Sequence, residues 1–479
     1  VKHASFILSI LLWAQAASAS YSLTNLPDNA TIGLFGDSYE KDGDLNTVSS
    51  PEQTGCMFPD YITAGLFLLN PSLSNLCVYN FAKSGTLMTD QSTAIAELGY
   101  AVFSYNLFHG YGTNNSFNIG IEQATANGSQ AAASMLLSIS NNFKALALTT
   151  NSVANTNEMG TSVSNHVDWV ALSDFTPYAT DGGGTGAGSE YDRMTAATNG
   201  GARFGAGYVN AFDRTFAATT NWIGLGDNPP LEIKSGIKAG HPRALGSAVW
   251  TYGFWMETMG TDTNIFNVTV DYNSASIVTT NHCVVTSISK TGNTLTLQVT
   301  FLRMAPTRDI AGTVDLIGNV TTNDTSALAT VWPAAENFFQ EKFAVQNLPA
   351  GLFKVYENGI LLGIKSNVEL ANWNMATNYI GDRQKQKTEV LGRVRDLENA
   401  DRGSLLVSAG NGIVVLGSLA FTDYPTHTGD GLEAQLDAAI SGVKTNNTHS
   451  FAAVRAEAQP VSYTYQIVPN VTIFAPFRR

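Results

Sequence analysis

The feature that most constrains this chain is a change of pattern near residue 261. From Ala30 to about Gly260, short apolar runs alternate with helical stretches. Thr31 to Phe35 (TIGLF) reads as a strand that stops at Gly36, and Leu76 to Tyr79 as another. Gln130 to Ser140 is helix-like, and Phe143 to Leu148 is a buried strand by its apolar run. Ala244 to Met259 closes this half as a helix, with Leu245, Val249, Tyr252, Met256 and Met259 on one face. Strands alternating with helices predict an α/β fold with a mainly parallel sheet flanked by helices.

Beyond Thr261 the segments become short, β-branched and alternating. Asn267 to Tyr272, Cys283 to Ser289 and Thr294 to Phe301 are strand-like, the last two joined by a turn at Lys290-Thr291-Gly292-Asn293. Further strands are expected at Leu352 to Tyr356, Ile360 to Ile364, Ser404 to Val407, Ile413 to Leu416 and Tyr463 to Val468. One helix interrupts them at Asp382 to Glu398, with Val390, Leu391, Val394 and Leu397 as its apolar seam. Its Lys and Arg residues read as a solvated face. The second half is thus a β-rich, sandwich-like domain. No internal repeat marks a solenoid.

Length agrees with two domains, since 479 residues exceed the usual single-domain size of about 150. The chain is 44% hydrophobic and only 14% charged. That apolar content can fill a core and excludes wholesale disorder. The net charge of -13 repels phosphate backbones and anionic membranes, so neutral substrates such as glycans or small esters fit better than nucleic acid.

Residues 1–19 have the form of a secretory signal. Lys2 and His3 precede an apolar run from Phe6 to Trp13, and Ala17-Ser18-Ala19 supplies a small-x-small cleavage site. The expected division is therefore a signal at 1–19, a first domain at 20–260 and a β-rich domain at 261–479. No later stretch reaches the ~20 apolar residues of a membrane span. In an oxidising compartment Cys56 and Cys77 can close a disulfide loop, leaving Cys283 over; all three can equally pack as buried thiols.

Four segments carry residues suited to chemistry. Phe35-Gly36-Asp37-Ser38 puts a hydroxyl just past the first strand, at the sheet edge where open α/β folds bind ligands. His241, in Gly240-His241-Pro242-Arg243, precedes the closing helix and can lean over that edge as a general base. Asn80-Phe81-Ala82-Lys83-Ser84-Gly85 and Thr149-Thr150-Asn151-Ser152 each follow an expected strand. The Gly85 N–H and the Asn151 amide can serve as oxyanion donors, worth about 3 kcal/mol each.

Taken in order, these segments resemble the SGNH (GDSL-type) hydrolase family. The resemblance implies a flavodoxin-like three-layer α/β domain and a serine esterase. Ser38 would be the nucleophile and His241 the base; Ser38, Gly85 and Asn151 would form the oxyanion hole. No cofactor or metal is implied. Four positions depart from the family. Ala82 replaces a glycine, Thr149 and Ser152 flank Asn151 where Gly and Asp are usual, and Lys238 stands where an Asp normally orients the histidine. Asp227 and Glu232 are close in sequence, but the acid stays unassigned.

A second resemblance covers the other half. Asn347 to Tyr356, Glu357-Asn358-Gly359 and then Glu369-Leu370-Ala371-Asn372-Trp373-Asn374-Met375-Ala376 are similar to the accessory β-domain of bacterial secreted SGNH hydrolases. The joint expectation is a secreted or cell-surface esterase acting on a short acyl ester or an acylated glycan, with a non-catalytic binding protein on the same scaffold as the alternative. Asp181 to Gly188 is glycine-rich but lacks the preceding strand and Lys-Ser/Thr ending of a phosphate loop. Trp250 and Trp255 are expected in the core.

Overall fold

The computed structural model describes residues 26, 31–35, 58–74, 76–80, 105–108, 168–172, 207–209, 214–215, 218, 244–259, 262–307, 328, 332–394 and 451–470. Five short strands build the first sheet: β1 (Thr31–Phe35), β2 (Cys77–Asn80), β3 (Tyr105–Phe108), β4 (Asp168–Leu172) and β5 (Gly207–Val209). Every pairing is parallel and the order is β2-β1-β3-β4-β5. That is the doubly wound order of flavodoxin-like sheets. β1 lies where the sequence places it and β2 one residue later. The expected elements at Gln130 to Ser140 and Phe143 to Leu148 lie outside the described residues.

Helix α1 (Phe58–Leu69) connects β1 to β2, and α2 (Ala244–Met259) follows β5. The two pack on each other: Phe58 stacks on Trp250 with ring centroids 3.9 Å apart and meets Phe254 edge-on at 6.1 Å. The sequence pattern predicts one buried face on α2. Instead Trp250, Phe254 and Trp255 are as buried as Val249, Tyr252 and Met259, and Met256 is only half-buried. A helix covered nearly all round sits between layers rather than on a surface. No helix among the described residues is long and apolar enough to cross a membrane.

The second half forms two facing sheets. One holds β6 (Asn264–Asp271), β7 (Ser276–Asn281), β10 (Gln340–Gln346) and β13 (Trp373–Asn374), in the order β13-β10-β6-β7. The other holds β8 (Cys283–Thr291), β9 (Thr294–Phe301), β11 (Leu352–Glu357), β12 (Ile360–Ser366) and β14 (Ser462–Pro469), in the order β12-β11-β14-β9-β8. Alternation decides which face is buried: on β9 Leu295, Leu297, Val299 and Phe301 point inward while the threonines between them do not. Across the gap Phe266 stacks on Phe301 at 4.1 Å and Phe343 meets Tyr465 at 4.9 Å, the interdigitation of a β-sandwich.

The predicted turn at Gly292 forms, and a second tight turn forms at Asn358-Gly359. Gly292 takes φ +57° between β8 and β9, and Asn358-Gly359 takes φ +48° and +85° between β11 and β12. The segment after β12 has a physical basis as well. Ser366 and Glu369 make a reciprocal capping box. Asn374 accepts from the Glu341 N–H at 3.0 Å and the Ala376 N–H at 3.1 Å, and donates to the Phe339 carbonyl at 3.0 Å. This asparagine cross-links strands rather than binding a ligand. Cys283 is a free buried thiol whose pKa burial pushes up to about 11, which keeps it protonated and inert. Cys56, and with it the Cys56–Cys77 pairing, lies outside the described residues, as do Ser404 to Val407 and Ile413 to Leu416.

Helix α3 (residues 382–394) buries Val390, Leu391 and Val394 as the seam predicts. Its basic residues overturn the expectation of a solvated face. Lys385 and Arg393 are exposed, but Arg383 and Lys387 are buried and converge on Glu341, itself fully buried on β10. Lys387 Nζ lies 2.6 Å from Glu341 Oε1, which also accepts the Ala305 N–H at 2.7 Å. Arg383 bonds the other Glu341 oxygen and the Met375 carbonyl, and its backbone N–H donates to Glu357 Oε1 at 2.8 Å. Tyr465 closes the cluster by donating to Glu357 Oε2 at 2.6 Å. Two cations facing two carboxylates leave it neutral, which allows it to exist in an apolar sandwich.

Candidate active-site edge

The parallel order fixes where a site can form. From β1 the chain steps to β2 on one side, and β3 lies on the other, so the strand order reverses at the carboxyl end of β1. In sheets of this order that point is the usual ligand position. The strand ends are level: Leu34 pairs with Asn80 and Phe35 with Phe108. Segments leaving β1, β2 and β3 therefore start side by side.

Helix packing ties α2 to α1. The first residue of α1 stacks on Trp250, and seven residues later a Cβ at Gly65 would lie 2.5 Å from Trp255 Cζ2. Phe58-to-Gly65 thus runs alongside Trp250-to-Trp255, and the helices are parallel. Asp60, in the first turn of α1, is fully buried.

Ser38, Gly85, Asn151, His241 and Lys238 all lie outside the described residues. What the structure describes is the strands and the helix that these residues adjoin in sequence. Ser38 is the third residue after β1, Gly85 the fifth after β2, and His241 the third before α2. Asn151 follows none of the described strands directly. The strand that borders β1 is β3, and it leads into His109-Gly110-Tyr111-Gly112-Thr113-Asn114-Asn115. Sequence reasoning passed over this segment because Tyr105-Asn106-Leu107-Phe108 is too short and mixed to stand out as a strand. That segment also lies outside the described residues.

Similarity to known proteins is visible in structure alone. No family model and no curated protein matches the chain. Its fold is similar to that of BT4096, a gut microbial diltiazem-metabolizing enzyme, with a TM-score of 0.59 and 14% identity over 94% of this chain and 100% of that one. At that identity the likeness shows a shared fold, and it spans both halves. A GDSL-like lipase from Parabacteroides merdae aligns over 49% of this chain and 98% of its own, with 15% identity and a TM-score of 0.34. Axe2, an acetylxylan esterase from Geobacillus stearothermophilus, aligns over 50% and 96%, with 13% identity and a TM-score of 0.34. These two scores fall below the level that defines a shared fold.

Proposed function

We propose that this chain is a secreted SGNH-type serine esterase that hydrolyses short-chain carboxylic esters, carbohydrate O-acetyl groups among them. The observation that carries the reading is the sheet order: β1 ends at the switch point of a parallel sheet, and Ser38 follows it by three residues. In this mechanism the Ser38 hydroxyl attacks the ester carbonyl while His241 accepts its proton and returns it to the leaving alcohol. Water, deprotonated by the same histidine, then releases the acyl group. The Ser38 and Gly85 N–H groups and one side-chain amide hold the oxyanion.

Family resemblance assigns that amide to Asn151, and the sheet order favours Asn114, because the described neighbours of β1 are β2 and β3, and Asn114 follows β3 by six residues in sequence. We assign it to Asn114. For the acid missing at Lys238 we propose the buried carboxyl of Asp60, in the first turn of α1, because α1 packs on α2, the helix that His241 precedes by three residues in sequence. Lys238 itself favours a second reading, a non-catalytic binding protein on this scaffold. Labelling with a fluorophosphonate followed by peptide mapping separates the two. An esterase carries the adduct on Ser38; folded protein without it is the binding protein.

A further inference from the structure

We propose that the β-sandwich positions the ester-cleaving edge of the first domain and that Arg455 is the residue through which it acts. The part concerning catalysis rests on the esterase reading above; the mechanical part stands on its own geometry. Among the described residues β2 is the outermost strand of the parallel sheet, four residues long and paired only with β1. A ladder this short, on one side only, holds a strand weakly. Gly85, the donor of the esterase reading, follows β2 by five residues in sequence, so what anchors the strand bears on that reading.

The anchor comes from the other half of the chain. Helix α4 (Phe451–Ala458) runs just before β14. From its last turn Arg455 donates Nε to the Leu73 carbonyl at 3.0 Å and Nη2 to the Leu76 carbonyl at 2.9 Å. Leu76 is the residue immediately before β2. Gln459 adds a bond from Nε2 to the Pro71 carbonyl at 2.9 Å. Arg455 is 8% exposed, so these bonds form away from water. A guanidinium fixes two acceptors in one plane and sets their orientation as well as their distance; a lysine ammonium is a point donor and cannot.

Helix α4 is itself held by the sandwich. Gln386 of α3 donates to the Glu457 and Gln459 carbonyls at 2.7 and 2.8 Å, and its side-chain oxygen accepts from the Tyr463 hydroxyl of β14. On the near side of the same turn, the Met304 N–H donates to the Leu68 carbonyl at 3.0 Å, tying the end of α1 to the strand-to-loop exit of β9. The 71–76 turn is thus gripped from the second domain at both ends, and β2 leaves it in a set direction. Displacing a catalytic donor by about 1 Å can cost on the order of 100-fold in rate.

The test uses the full chain with Arg455→Met and Arg455→Lys. Two readouts are compared: kcat and KM for p-nitrophenyl acetate, and amide hydrogen exchange in β2 against β4. For Arg455→Met we expect kcat to fall about 10- to 100-fold with KM within about two-fold, and exchange at Val78 to Asn80 to rise at least about ten-fold with β4 unchanged. Arg455→Lys should fall between. Unchanged kcat with unchanged β2 exchange would overturn the proposal. So would exchange rising equally in β2 and β4, which marks a general loss of stability. If the unmutated chain has no esterase activity, selective exchange in β2 still supports the clamp while the esterase reading falls.

Discussion

The Arg383 guanidinium and the Glu341 carboxylate bond inside the β-sandwich with 1% and 0% of their side chains exposed. Burial alone pushes the Glu341 pKa up; Arg383 and Lys387 beside it more than reverse that, so the carboxyl stays below its ordinary range and ionised. Removing one member strands a charge in an apolar interior. Arg383→Met should therefore destabilise the protein by about 3–5 kcal/mol in urea unfolding. A loss under about 1 kcal/mol would mean that the cluster is solvated or rearranges freely.

Lys387 gives a pH test with a definite sign. Burial, outweighing the pull of Glu341 beside it, lowers its pKa to about 8 from 10.5. The folded state then holds fewer protons than the unfolded state between those values, so this group's contribution to stability grows as pH rises through that window. The difference in unfolding free energy, wild type minus Lys387→Met, should be larger at pH 10 than at pH 7. A difference that shrinks would contradict the depressed pKa.

Gly381 is held by two constraints at once. Its φ is +107°, and a Cβ there would collide with Glu357 Oε1 and lie 2.7 Å from Leu362 Cδ2. Gly381→Ala should cost about 2–4 kcal/mol, combining backbone strain with overpacking. Near-neutral behaviour in a thermal melt would show that the start of α3 can shift, and the Glu357 contacts with Arg383 and Tyr465 with it.

The two asparagine assignments separate by kinetics. Asn114→Ala should lower kcat for p-nitrophenyl acetate by about 100- to 1000-fold with little change in KM, as loss of an oxyanion donor does. Asn151→Ala should stay within about three-fold of wild type. The reverse pattern would return the role to Asn151 and break the link drawn from the β1–β3 pairing.

What was legible in the sequence was what local pattern dictates. β1, β9 and β11 show clean apolar runs or alternation, and the Asn358-Gly359 and Gly292 turns need positive φ that few other residues accept. β3, β4 and β5 were not legible. They are three to five residues long and include Asn106 and Asp168, and their pairing partners in a parallel sheet are far away in sequence. The burial of Arg383 and Lys387 was hidden for the same reason, because Glu341 is supplied from another element. The Ser38 and His241 spacing was readable by resemblance. The proposal of a donor after β3 arose only from the strand order.

Hydrolysis of p-nitrophenyl acetate by the chain from Ser20 onward, beside an identically prepared Ser38→Ala variant, tests the central claim most directly. The account predicts turnover by the first and background by the second, with both equally folded by circular dichroism. Equal rates in the two would contradict the assignment of Ser38 as nucleophile, and absence of turnover in the folded parent chain would contradict the esterase itself.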